Sequence, residues 1–323
     1  MSADWETELK SVFEGVRILS PTSFMCREAE IQCSPEEFVS NLQQVLYVRC
    51  YTRKLSDNTP RPAGERTDMS GNLRRVHGGS ACRDSGWTIE RVIDGSAVVA
   101  RKGSGLRLFT PGQYLLLRGP SASLEKGQQL LICQPKDSTT HQPGYYHAWG
   151  ETLGDYSDHS NLVRFYWNTD PDGAVTLIDL VTRRFNRFQV PFQVKCPSFR
   201  ELYDRCDAVV LYVSKWHYRI AAQLVEEFYE IVQSRLKDET PLFTKKLNAG
   251  LGFAEDPDNT ESFGTDRCGI LAKALIEASR QGLATEEAKL NTLRAAFEAR
   301  GLSLARPYLN AGSNDEYEYP VAS

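Results

Sequence analysis

At 323 residues, with 41% hydrophobic and 25% charged residues, the chain has the composition of an ordinary soluble protein able to bury a substantial core, as one large domain or two of usual size. A formal net charge of -4 argues against a surface built throughout for nucleic acid, so no nucleic-acid partner is expected and any anion site has to be local. No stretch reaches the roughly 18 apolar residues that a membrane span needs, and the acidic start MSADWETELKSVFEGV lacks the basic flank of a signal peptide, so no membrane partner and a cytoplasmic location are expected.

Trp5 to Gly15 reads as a short amphipathic helix. Ser34-Pro35-Glu36-Glu37 then reads as a helix start, with a capping serine, proline at the first helical position and glutamate three residues after the cap. The helix that follows carries Phe38, Leu42, Val45 and Leu46 at helical spacing and extends toward Leu55. A polar stretch from Ser56 to Arg83, rich in Gly, Pro, Asn and Arg, reads as a loop or linker. From Trp87 to Pro135 short apolar runs (SAVVARK, LRLFT, QYLLLRG, QQLLICQ) alternate with Gly, Pro and Ser, which predicts a small curved antiparallel sheet. The aromatic run Tyr145 to Gly150 serves either packing or the wall of a cleft.

Beyond it, Asn161–Asn168 predicts a strand, Ala174–Phe188 a helix, Gln189–Cys196 a strand, Ser198–Arg205 a short helix, Ala208–Val213 a buried strand and Tyr218–Leu236 a long helix. Two further helices are predicted near Thr265–Ser279 and Thr285–Arg300, with a frayed tail from Asn310. The expected class is α+β, a central antiparallel or mixed sheet flanked by helices, with a smaller N-terminal helical and strand region. Residues 1–150 form that N-terminal part and 151–323 the catalytic body, or the two are one continuous domain.

Eight scattered cysteines and five histidines show no close pairs and no HExxH spacing, which predicts free thiols, no metal site and no cofactor. The segment Phe243 to Cys268 (FTKKLNAGLGFAEDPDNTESFGTDRC) attracts more interest. Lys245 and Lys246 precede Gly250 and Gly252, and Ser262, Gly264 and Thr265 precede Arg267 where a helix begins, a pattern suited to holding an anion. A solvated loop whose charges pair with Glu255, Asp256, Glu261 and Asp266 accounts for the same residues. In the strands, Arg164 interrupts an apolar run with Tyr166 on its face two residues later, and Lys195 ends Val190, Phe192 and Val194. These place donors on one side of a sheet, either as a cationic cleft or as the exposed face of a half-buried sheet.

The order RFYWN, DLVTRRFNRFQVPFQVK, RCDAVVLYVS and PLFTKKLNAGLGFAEDPDNTESFGTDRCGILAKAL resembles the HopA-type type III effector family, over roughly Ser20 to Ala278. SPTSF at Ser20 to Phe24, LYVRCYTRKL at Leu46 to Leu55 and PGYYHAWGE near Tyr145 fit it too. Members outside pathogens occur in class V lanthipeptide and thioamidated-peptide biosynthesis. The resemblance implies a lyase with a fold similar to phosphothreonine lyases, working beside a separate Ser/Thr kinase-like protein. Its substrate would be a phosphorylated precursor peptide, from which phosphate is eliminated to leave dehydroalanine or dehydrobutyrine. Phosphothreonine lyases use a Lys-Phe-His strand and a later lysine. Here the matching strand is Arg164-Phe165-Tyr166, which lacks the histidine, and the matching lysine is Lys195.

An elimination of this kind needs a base for the α-proton, cations for the departing phosphate and a proton donor. Lys195, as a neutral amine, is the candidate base. Tyr166, then His147, are the candidate acids, and Arg164, Lys245, Lys246 and Arg267 the phosphate ligands, with Lys102 of the small sheet as a further cation. The alternative is a non-catalytic protein that uses the same cations to bind a phosphopeptide or kinase, or an effector acting on host proteins.

Overall fold

In the computed structural model, which describes residues 4–55, 64–117, 123–155 and 159–320, helix α1 (Asp4–Gly15) buries Leu9, Val12 and Phe13 and leads into an antiparallel meander of β1 (Val16–Ser20), β2 (Ser23–Cys26) and β3 (Ala29–Gln32). Helix α2 (Phe38–Leu46) buries Phe38, Leu42 and Leu46, spaced by four along one stripe. It starts later than the sequence suggests. The Ser34 hydroxyl donates to the Glu37 carboxylate at 3.1 Å instead of capping backbone N–H groups, so Ser34 to Glu37 form a turn ahead of the helix. A π-helical turn, Tyr47–Tyr51, continues α2.

Of the segment read as a loop from Ser56 to Arg83, residues 56–63 lie outside the described residues. Ser70–Val76 forms helix α3 on the buried Leu73. The small sheet follows as expected, from β4 (Cys82–Ile93), β5 (Ala97–Lys102), β6 (Gly105–Phe109), β7 (Tyr114–Leu116) and β8 (Gln129–Gln134), in the order β6-β5-β4-β8-β7. Its inward residues Trp87, Ile89, Val98, Ala100, Phe109, Leu130 and Ile132 make a core separate from the main one.

The main sheet is antiparallel throughout. It takes β9 (Asp137–Ser138), β10 (Tyr145–Trp149), β11 (Leu162–Trp167), β12 (Gln193–Pro197), β13 (Val209–Ser214), β14 (Lys245–Asn248) and β15 (Leu251–Glu255), ordered β14-β15-β11-β13-β12-β10-β9. Because β9 and β10 precede residue 150, the parts 1–150 and 151–323 share this one sheet. Helix α4 (Pro171–Arg187), capped by Asp170 accepting from the Gly173 N–H at 2.7 Å, and helix α5 (Tyr218–Val232) cover one face, where Phe165 stacks on Tyr218 with ring centroids 5.9 Å apart. Over the other face of β11 lie the Tyr47–Tyr51 turn and helix α6 (Phe263–Arg280), so that every residue of Leu162–Trp167 is buried. Helix α7 (Glu286–Glu298) packs on α6.

Two further expectations need correction. The glycine-spaced segment is not irregular surface: β14 and β15 form a hairpin, and all of Leu251–Glu255 is buried. Its glycines answer to the protein's own packing. Gly250, at φ +67, turns the hairpin so closely under the Lys237 carbonyl that a Cβ would overlap it, and a Cβ at Gly264 would overlap the Tyr51 ring. The tail is not frayed over residues 310–320 either. Tyr317 is buried, its hydroxyl donating to the Glu255 carboxylate at 2.5 Å, and Lys245 donates to the Tyr317 carbonyl at 2.9 Å.

Candidate functional site

The face of the main sheet opposite α4 and α5 carries polar side chains in two cross-strand rows. Pairing of Arg164 with Tyr212, Tyr212 with Gln193 and Gln193 with Trp149 sets these four in line. Pairing of Tyr166 with Val210, Val210 with Lys195, Lys195 with His147 and His147 with Ser138 sets the next row. Lys195 and His147 are therefore direct neighbours, while Arg164 stands two strands, roughly 10 Å, from Lys195. Between this face and the small sheet lies a cavity of about 740 Å³. Its wall includes Arg164, Lys195, His147 and Tyr212 from the main sheet, Arg107 from β6, and Asp256 and Glu261 from the segment leading to α6.

Arg164 is buried and ion-paired with the buried Asp256, and its guanidinium carbon lies 4.9 Å from the centre of the Tyr212 ring. Burial works against its charge, but Tyr212, Tyr166 and Asp256 outweigh burial and hold it above the usual arginine range. Its Nε has no hydrogen-bond partner among the described residues. Lys195 Nζ sits 5.4 Å from the Tyr145 ring centre and 5.9 Å from that of Tyr212. Tyr145 is itself held by Arg205, which donates to its hydroxyl at 2.5 Å and pairs with Asp207.

His147 is buried between His141, at 4.7 Å edge to face, and Trp149, stacked at 5.8 Å. Burial, then the Lys195 charge, then His141, push its pKa down to about 3, so the ring is neutral near pH 7. Between its unfolded value of about 6.5 and its folded value, the unfolded chain binds a proton that folded His147 refuses. This contribution is complete above about pH 6.5 and is lost as pH falls toward about 3. His147→Gln is expected to flatten the fall in urea midpoint on acidification from neutral pH to about pH 4.5, and an unchanged slope would contradict that assignment.

The remaining predicted residues are not brought together with these. Tyr166 shares their sheet face but lies behind the cavity wall, buried beside Tyr51 and Phe263; burial raises its hydroxyl above the usual tyrosine range. Lys102 pairs with Asp84 on the small sheet. Lys245 pairs with Asp315 at 3.1 Å and Lys246 with Asp238 at 3.2 Å, on the opposite edge strand of the main sheet, where they border a different groove. Arg267 is buried on α6, donating to the Pro307 and Leu309 carbonyls at 2.9 Å each and pairing with Asp266. Its role is to anchor the chain after α7. The segment that carries these three cations does reach the cavity, but through Asp256, Thr260, Glu261 and Ser262, the last capping α6.

The profile of the HopA1 effector protein family matches residues 136–309, more than half of the chain, and takes in β9 to β15 with every main-sheet residue of the cavity wall. The chain belongs to the HopA1 effector protein family. No curated protein matches it at the sequence level. Among solved structures, the effector protein from Pseudomonas syringae pv. tomato strain DC3000 is 20% identical, aligned over 51% of this chain and 62% of that one with a TM-score of 0.42. The effector protein from Pseudomonas syringae pv. syringae strain 61 is 14% identical, over 86% of this chain and 99% of that one with a TM-score of 0.44. The HopA1-family chain thus matches less than two thirds of the length of the first.

Four wall residues of this HopA1-family chain escape sequence reasoning: Arg107, Gln193, Tyr212 and Asp256. Gln193 carries a signal, since it breaks an apolar run two residues from Lys195 and so in phase with it, whereas Tyr212 comes level with Arg164 only through strand pairing. Arg107 and Asp256 come from elements that only the fold brings near. Among the described residues, no three His, Cys, Asp or Glu side chains gather as a metal-binding group.

Proposed function

We propose that this HopA1-family protein is a phospho-Ser/Thr lyase acting on a kinase-phosphorylated precursor peptide. The observation that carries the reading is the adjacent pair Lys195 and His147, in one cavity with the buried guanidinium of Arg164. In the reaction, Lys195 as the neutral amine takes the α-proton of a phosphoserine or phosphothreonine. The C–H electron pair becomes the Cα–Cβ double bond, and the Cβ–O bond breaks with its electrons leaving on phosphate. Arg164 and the His147 N–H donate to the oxygens that gain charge. His147 thereby offers, from the strand beside Lys195, the imidazole missing at Tyr166. The partners on this reading are the phosphorylated precursor peptide and a separate kinase-like protein.

The test is mass spectrometry of a phosphoserine peptide incubated with the protein. Loss of phosphoric acid with appearance of dehydroalanine supports the lyase. Retention of the phosphate on a peptide that nevertheless binds overturns it in favour of a phosphopeptide-binding protein.

A further inference from the structure

Gln193 and Lys195 stand two apart on β12 and face the same cavity, and Gln193 Nε2 lies 3.0 Å from His147 Nδ1. An amide –NH₂ can only donate, so Nδ1 is the acceptor, and a neutral imidazole then carries its single proton on Nε2. Lys195, the direct cross-strand neighbour, and His141 both oppose a second proton on the ring. The ring is wedged between His141 and Trp149. Its Nε2, buried within a residue that lines the cavity, has no hydrogen-bond partner among the described residues. A buried N–H with no protein acceptor carries a desolvation cost that an acceptor relieves, and with the Lys195 ammonium next to it and Arg164 across the same cavity the acceptor of matching charge is an anionic ligand oxygen.

We infer that Gln193 is a positioning residue that selects the Nε2–H tautomer of His147 and so presents a fixed N–H donor to an anionic oxygen of the bound ligand. His147 is then a hydrogen-bond donor in this cavity and not a base, because its only lone pair on nitrogen is occupied by Gln193. The tautomer stands on the Gln193–His147 hydrogen bond in a neutral ring, while its effect on turnover rests on the lyase reading above.

Long-range ¹H–¹⁵N correlation spectra of the imidazoles in the ¹⁵N-labelled full chain test the assignment directly, with His147 identified by its loss in His147→Gln. The expected result near neutral pH is a protonated Nε2 and a bare Nδ1; a protonated Nδ1 overturns the inference, and this reading needs no Gln193 variant to fold. In Gln193→Glu the carboxylate accepts where the amide donated, so the proton is expected to move to Nδ1, and an unmoved proton in the folded variant also overturns it. With a phosphoserine peptide, Gln193→Leu is expected to lower kcat at least tenfold with KM changed less than threefold; an equal kcat removes the positioning role. If the wild-type chain shows no elimination at all, the lyase reading fails while the spectra still decide the tautomer.

Discussion

Lys195→Ala is expected to abolish elimination from a phosphoserine peptide while leaving peptide binding measurable. Removing a positioned general base costs on the order of 10²–10⁴-fold in rate. The fold should tolerate the change, because Lys195 is only partly buried and its Nζ lies over the ring faces of Tyr145 and Tyr212, whereas the neighbours Val194 and Cys196 are core residues. Single-turnover mass spectrometry with enzyme in excess separates chemistry from binding, and fluorescence anisotropy of a labelled peptide reports the binding itself. Turnover at the original rate would remove Lys195 from the role of base. Full loss of both turnover and binding would instead mark it as a phosphate ligand.

The second large effect concerns stability. Arg267→Ala is expected to destabilise the protein by about 3–5 kcal/mol, the scale for removing one partner of a buried ion pair. The guanidinium joins Asp266 on its own helix to the Pro307 and Leu309 carbonyls, so its loss strips two backbone acceptors and leaves a carboxylate at 0% side-chain exposure with Arg300 and Asn259 as remaining partners. Urea denaturation should show a lower midpoint. In conditions where the variant stays folded, its affinity for a phosphopeptide should match that of the wild type. A variant with normal stability and weakened phosphate binding would restore Arg267 to the anion site that its sequence context suggests.

The contrast between these two residues shows how far local pattern reaches. Arg164 and Lys195 were legible because a strand has a period of two. A cation within an apolar strand must go either to a solvated face or to a polar cavity, and its in-phase neighbours go with it. Tyr166 obeyed the same rule and shares the face, yet its hydroxyl lies under Tyr51 and α6. Phase places a side chain on a face but says nothing about what covers it.

Lys245, Lys246 and Arg267 failed for a different reason. Lysines beside glycines and an arginine at the start of a helix make a pattern that fits a phosphate, and fits equally a tight hairpin and a buried anchor. Which one applies depends on residues outside the local pattern: the Lys237 carbonyl over Gly250, Tyr51 against Gly264, and Pro307 and Leu309 at Arg267. Asp315, 70 residues on, engages Lys245, and Lys246 is engaged by Asp238, eight residues before it.

From sequence alone came the α+β class, most helices and strands of the C-terminal half, the small antiparallel sheet and the placement of Arg164 with Tyr166 on one face. Periodicity and turn chemistry are local and survive folding unchanged. The tertiary structure alone decided that β10 joins the main sheet beside β12, which puts His147 next to Lys195, and that Gln193 bonds His147. It also decided that Arg107 and Asp256 close the cavity. Strand order and the pairing of distant polar groups are set by which surfaces can be buried together, and no local window of residues contains that information.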